Sequence, residues 1–159
     1  MKILLLSKNF AVKNAEEILS LEYNWTEIGD KPWNIDNLLY ELPMKWELSQ
    51  IALHDKKIVG YLVGSVKDNA AFLNKIVVDK NVRGLGIGKK LIASFLKKCL
   101  EKNLQRVTFR VRIDNTSAIV FYDKLGFKKS QEIDKTRTDG VESYFYDTII
   151  SGVFKILNC

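Results

Sequence analysis

A chain of 159 residues fits one domain with enough apolar content to bury a core, and its dispersed charges exclude a disordered polyelectrolyte. The formal charge of +6 and a pI near 9.2 favour an anionic partner. The lysines are scattered rather than gathered into a tract with interleaved aromatics, which argues against nucleic acid as the main partner and suits a polyanionic cofactor equally well.

The opening Met1-Lys2-Ile3-Leu4-Leu5-Leu6 is too short for a signal-peptide core, and no apolar run along the chain is long enough to cross a bilayer. Lys2 to Ser7 reads as a short strand, Ala11 to Leu21 has helical spacing, and a second helical piece runs from Ile35 to about Leu42 between Pro32 and Pro43. The period then changes to two. Glu47 to His54, Ile58 to Val66 and Ala71 to Val78 are apolar, β-branched runs, joined at Asp55-Lys56-Lys57 and Lys67-Asp68-Asn69. Connections that short require antiparallel pairing.

A glycine-rich turn, Arg83 to Gly88, leads into an amphipathic helix. Ile87, Leu91, Ile92, Phe95, Leu96, Cys99 and Leu100 share one face, and Lys89, Lys90, Lys97, Lys98 and Lys102 take the other. Arg106 to Ile113 is a strand, and Asn115 to Leu125 is a short helix closed by Gly126. Strands near Phe127 to Ile133 and Glu142 to Ile150 complete an α+β sheet protein occupying residues 1–150. Residues 151–159 form a tail without a decisive signal. Cys99 and Cys159 make neither a disulfide framework nor a metal site, so a reduced, cytoplasmic protein without a bound metal is expected.

The glycine turn has competitors that can be tested by spacing. A Walker A loop needs a glycine where Arg83 stands and a Ser or Thr where Lys90 stands. The dinucleotide fingerprint needs a glycine at Lys89 and a preceding βαβ unit, whereas the strands here form a hairpin series. What remains is an anion cradle. Glycines at 84, 86 and 88 allow close backbone approach, a helix beginning near Gly86 points unpaired N–H groups and its positive dipole end there, and Arg83 and Lys89 add charge. A tight turn that only packs helix against strand is the plain alternative.

A second constellation lies downstream, from Asn115 to Phe127. Taken alone, Asn115 reads as a helix cap and Tyr122 as a core aromatic. Together the two segments change the reading. The chain resembles the GNAT superfamily of acyl-CoA N-acyltransferases, most clearly from about Leu73 to Phe127. The family's Arg/Gln-x-x-Gly-x-Gly/Ala motif matches Arg83, Gly86 and Gly88; its Asn-x-x-Ala-x-x-x-Tyr-x-x-x-Gly-Phe motif matches Asn115, Ala118, Tyr122, Gly126 and Phe127. Phe72 to Val78 is similar to the family's fourth strand.

The resemblance implies a single domain with a mixed, mostly antiparallel sheet of about seven strands, splayed between the fourth and fifth, and helices on both faces. It implies acetyl-CoA as co-substrate, with backbone groups of Ile76, Val77 and Val78 for the pantetheine arm. Arg83, Gly84, Leu85, Gly86, Ile87, Gly88 and Lys89 would wrap the pyrophosphate, and Asn115 would bond the cofactor arm. Tyr122 would lie beside the sulfur as the acid that protonates the leaving thiolate. The expected enzyme is an N-acetyltransferase, a monomer or homodimer, acting on a protein N-terminus or a small-molecule amine. Within the superfamily the chain is similar to protein N-terminal acetyltransferases, including the ribosomal-protein alanine type, at Pro32-Trp33, Leu38 to Leu42 and Ile58-Val59-Gly60-Tyr61.

The general base is not assigned. Arg110 stands where that bacterial subgroup carries a glutamate, and arginine cannot accept the proton. Facing the acceptor channel it would pair with an acidic substrate group; otherwise it points to solvent. The subgroup's tyrosine-rich loop after the sixth strand is also not evident at Ile133-Asp134-Lys135. His54 reads as a hairpin surface residue, and Glu142 and Asp147 lie near the last strands. Trp25, Trp33, Tyr40 and Trp46 belong either to an acceptor site or to core packing. The missing glutamate supports an alternative, an acyl-CoA-binding regulatory module without turnover; Tyr122 argues against it.

Overall fold

Ser7 decides where the first helix begins. In the computed structural model, which describes residues 1–24 and 31–158, its Oγ accepts from the Phe10 N–H at 3.1 Å and opens α1 (Lys8–Lys13) three residues before the expected Ala11. Asn14 then leaves helical geometry (φ −119°, ψ 21°), and the chain resumes as α2 (Ala15–Ser20) and a 3₁₀ turn, Leu21–Asn24. The single expected helix is therefore two helices and a turn. Ala11, Ala15, Ile18 and Leu21 nevertheless keep one buried stripe. Trp25 and Cys159 lie outside the described residues.

Asn34 and Asn37 exchange side-chain-to-backbone hydrogen bonds (2.9 and 3.0 Å) and open α3, Ile35–Leu39. The helix stops short of the expected Leu42 because Tyr40 turns out of it (φ −57°, ψ 127°). The C-terminal carbonyls, which have no partner within the helix, are met by a buried cation: Lys45 Nζ donates to the carbonyls of Leu38 and Tyr40, each at 2.6 Å. Lys45–Leu48 forms a one-turn helix, α4, where a strand was expected from Glu47. One turn is too short to show a helical period, so the apolar pattern reads as alternation.

The sheet follows. Strand β1 (Lys2–Leu5) pairs with β2 (Gln50–His54), β2 with β3 (Lys57–Lys67), and β3 with β4 (Ala70–Val78), all antiparallel. Both turns between these long strands place two successive residues at positive φ, Asp55-Lys56 and Asp68-Asn69, the geometry that matches strand twist. Helix α5 (Ile87–Glu101) crosses over to β5 (Arg106–Arg112), which lies parallel to β4. Helix α6 (Thr116–Leu125) precedes the β6 (Lys129–Asp134) and β7 (Ser143–Ile149) hairpin, giving the order β1-β2-β3-β4-β5-β7-β6. This is the expected seven-stranded, mostly antiparallel sheet with helices on both faces.

Two cores hold it. One packs Leu91, Phe95, Val107, Phe109, Tyr122 and Tyr146 between the sheet and α5–α6; the other packs Ala11, Ile18, Leu38, Tyr61 and Val77 between β1–β4 and α1–α3. Residues expected to be a tail form α7 (Ile150–Leu157), which buries Ile150, Val153 and Leu157 against the first core. Ordered structure thus continues past the expected boundary at residue 150. Among the described residues no helix is long and apolar enough to cross a membrane.

Candidate functional site

The ladder between β4 and β5 is short. It registers only Ala71↔Val107 and Phe72↔Thr108, after which the two parallel strands part. An irregularity in β4 helps: Val63 and Gly64 of β3 face Lys75 and Leu73, leaving Asn74 as an extra residue that bends the strand. The gap opens into a cleft of about 610 Å³, walled by Leu73 to Val78 on one side and Phe109 to Arg112 on the other. The Asp79 N–H bonds the Val59 carbonyl at 2.8 Å. By antiparallel alternation Val77 is then bonded toward β3, and the backbone groups of Ile76 and Val78 turn toward the cleft.

One mouth of the cleft is built by the glycine turn. Gly84 and Gly86 have φ of +83° and +77°, and a Cβ on either would meet nothing within 4 Å. Their need for glycine is conformational, and the space in front of them is open to a ligand. Gly86 is the N-cap of α5, so helix α5 starts at Ile87 and presents its first N–H groups there. Gly88 has a different reason: a Cβ would lie 3.3 Å from the Phe121 ring, so its absence lets α5 and α6 approach. Val82, Arg83, Gly84, Gly86, Ile87, Gly88 and Lys89 line the cleft, whereas the Leu85 side chain is exposed to solvent.

Asn115 and Tyr122 reach the same cleft from α6. Asn115 Oδ1 accepts from the Ala118 N–H at 3.2 Å and so caps the helix, which leaves its amide NH₂ as a donor group. Tyr122 is buried in a cluster of rings, 4.5 Å from Phe109 and 5.2 Å from Phe121 between centroids. Burial, reinforced by Tyr146, pushes its phenol well above the usual tyrosine range. Tyr146 is itself stacked on Phe109 and donates to Asp123 at 2.9 Å, which fixes the cluster from behind.

The opposite mouth contains residues that sequence reasoning missed. Glu22, on the 3₁₀ turn, is only 4% exposed yet lines the cleft. Its carboxylate accepts from the Tyr61 hydroxyl and pairs with Lys75 Nζ at 3.0 Å, and that ammonium lies 5.4 Å from the Trp33 ring centroid. Burial and the adjacent carboxylate hold the Tyr61 phenol protonated far above its ordinary range. No local motif marks Glu22; only its position at the end of an apolar helical stripe hints that it turns inward.

Arg110, Arg112 and Arg137 line the same mouth. Arg110 pairs with Asp134 and lies over the rings of Phe72 and Phe145, at 5.9 and 5.5 Å. Register explains its direction, because Arg110 faces Phe145 across β5 and β7 while Phe109 and Val111 turn into the core. The other residues weighed as bases lie elsewhere. His54 is at the surface beside Asp55, Asp147 pairs with Arg106, and Glu142 lies 3.8 Å from Lys135; none lines the cleft. Tyr40 is exposed, Trp46 donates to Glu41, and Trp33 packs against the second core.

This fold and cleft define an acyltransferase-type architecture, and the comparisons agree. The acetyltransferase (GNAT) family model matches residues 13–127, and the chain belongs to that family. It is 25% identical over 118 residues to the N-alpha-acetyltransferase MAK3 of Arabidopsis thaliana, spanning 72% of this chain and 62% of that protein. It is also 25% identical over 123 residues to the putative [ribosomal protein bS18]-alanine N-acetyltransferase of Bacillus subtilis, spanning 76% of this chain and 79% of that protein. The crystal structure of Ard1 from Thermoplasma volcanium superposes with a TM-score of 0.78 at 27% identity, covering 93% of this chain and 96% of that one. Equal identity to two kinds of N-terminal acetyltransferase does not select the ribosomal-protein subgroup.

Proposed function

We propose that the protein transfers an acetyl group from acetyl-CoA to a primary amine, a protein N-terminus or a small-molecule amine. The observation that carries this reading is a single cleft through the sheet. It has a glycine turn and helix N-terminus at one mouth, a buried phenol at the split, and a buried carboxylate at the other mouth.

Each group has a task that its chemistry suits. The turn from Arg83 to Lys89 offers backbone N–H groups and two cationic side chains to a pyrophosphate. Ile76 and Val78 turn backbone groups toward a pantetheine arm, and the Asn115 amide adds a donor. The amine must be neutral to attack the thioester carbonyl, and Glu22 is the carboxylate of the acceptor mouth that takes its proton, directly or through water. As the carbon–sulfur bond breaks, Tyr122 gives its proton to the departing thiolate. A phenol that burial keeps protonated is suited to that step.

A binding module without turnover drew its support from Arg110 in place of a glutamate. Glu22 supplies a carboxylate from a different element, which favours transfer. The test is incubation of the protein with acetyl-CoA and a panel of amines and peptides, following free thiol. Release that saturates in both substrates is expected; saturable acetyl-CoA binding with no release across the panel would favour the binding module.

A further inference from the structure

Resting on the transferase reading, we infer that the chain carries an acceptor of its own. With no external amine in the cleft, the acetyl group of acetyl-CoA passes to Nζ of Lys75 and leaves that residue as acetyl-lysine. Two primary amines line the cleft among the described residues, Lys75 and Lys89. Lys89 belongs to the first turn of α5, beside the glycines. Lys75 stands on β4 where that strand has parted from β5, and its Nζ lies 3.0 Å from Oε2 of Glu22. Glu22 is the one carboxylate among the described residues that line the cleft. An amine and a group able to take its proton are thus already paired on the cleft wall.

Lys75 reaches this place because of the irregularity in β4. Side chains two apart on a regular strand share a face, which would turn Lys75 with Leu73 into the first core. Asn74 is the extra residue, and its Oδ1 accepts from the Ser65 hydroxyl at 2.7 Å. The alternation is reset beyond it. Leu73 and Ile76 pack on the first core, and Val77 packs on the second. Lys75 shares the direction of Val77, so its ammonium meets Glu22 and lies 5.4 Å from the Trp33 ring centroid. With 19% of its side chain exposed, the stem is largely enclosed and the amine is held in place.

The chemistry is that of any amine acceptor. The ammonium loses a proton to Glu22, and the free amine adds to the thioester carbonyl carbon. Collapse leaves the new carbon–nitrogen bond as an amide and breaks the carbon–sulfur bond. The departing sulfur takes the Tyr122 proton, the second proton shed by the nitrogen restores that phenol, and the proton on Glu22 passes to water. The ammonium and acetyl-CoA become acetyl-lysine, free thiol and a proton, with no further reactant. The amide is uncharged, so the reaction also dissolves the ion pair with Glu22 and stops after a single transfer.

The test is incubation of the full chain with acetyl-CoA alone, followed by peptide mapping by mass spectrometry. The urea-unfolded chain is the control for spontaneous acetylation. In the folded chain Lys75 is expected to react at least about tenfold faster than the exposed Lys56 and Lys57, because its amine is held beside a base and the cofactor cleft. That lead is expected to vanish on unfolding. Glu22→Gln and Tyr122→Phe are each expected to slow Lys75 by about tenfold or more while Lys56 and Lys57 keep their rates. The rate constant is expected to be independent of protein concentration, since cleft and amine share a chain. Lys75 left unmodified, or modified no faster than the exposed lysines, would overturn the inference. So would a Lys75 rate constant that rises in proportion to protein concentration, or one that neither variant alters. The amine and peptide panel, run in parallel, separates the two readings. Thiol release with a panel amine but no acetyl group on Lys75 overturns this inference alone. Acetylated Lys75 with no acceptor in the panel supports it and overturns the external-amine reading.

Discussion

Lys75 Nζ stands 3.0 Å from Glu22 Oε2 and holds that carboxylate, together with the Tyr61 hydroxyl, at the wall of the cleft. The pair joins β4, whose departure from β5 opens the cleft, to the 3₁₀ turn after α2. A strand that walls the cleft and a turn that contributes a carboxylate to it are thereby tied together. Buried ion pairs are costly unless well bonded, and here both carboxylate oxygens have a partner.

Glu22→Gln removes the charge but keeps the shape. We expect kcat to fall on the order of 10²-fold, the usual scale for loss of a positioned base, with acetyl-CoA affinity unchanged. A steady-state comparison over pH 6 to about 10 checks it, because the variant is expected to recover part of its rate at high pH, where the free amine is abundant. Full activity at neutral pH would remove Glu22 from the proton path.

Tyr122→Phe keeps the ring cluster and deletes the acid. We expect undiminished cofactor binding and a kcat lower by at least about tenfold. The sign of the pH dependence is also fixed. Burial raises the phenol, so it stays protonated through the ordinary tyrosine pKa near 10, and wild-type kcat is expected to show no falling limb below that pH. Unchanged kcat in the variant, measured by single-turnover thiol release, removes Tyr122 from the mechanism.

Gly86→Ala places a side chain at φ +77° in open space. Strain rather than collision is therefore the expected cost, about 1–2 kcal/mol, with weaker acetyl-CoA binding because the N-cap of α5 must shift. Thermal unfolding and titration with CoA read the two effects separately. A variant with unaltered stability and affinity would show that the turn tolerates a side-chained residue there.

Lys45→Met deletes the two 2.6 Å bonds to the Leu38 and Tyr40 carbonyls while keeping much of the volume. Leaving a buried acceptor unmet costs about 1–3 kcal/mol, and the Leu38 carbonyl is buried while that of Tyr40 is partly so, so urea unfolding is expected to show a loss of roughly 2–4 kcal/mol. A smaller change than about 1 kcal/mol would mean that the end of α3 is held by other contacts.

The features readable from sequence are those that lie within one contiguous stretch. Arg83 to Lys89 and Asn115 to Tyr122 each carry their chemistry locally, and both meet at the cleft. Glu22, Lys75, Arg112 and Arg137 come from four separate segments, a 3₁₀ turn, β4, β5 and the β6–β7 connection, and only the folded sheet brings them together. The direction of Arg110 needed the β5–β7 register, which a one-residue slip would reverse. Helices α4 and α7 are not legible in the sequence because a single turn, or eight mostly apolar residues, offers too little period against polar neighbours.

The central claim is tested most directly by quenched-flow or steady-state thiol release from acetyl-CoA across an amine and peptide panel, with mass spectrometry of the acceptor. The account predicts stoichiometric gain of one acetyl group on a primary amine for each thiol released. Tight acetyl-CoA binding with neither thiol release nor an acetylated amine, under the same conditions and across the whole panel, would contradict it.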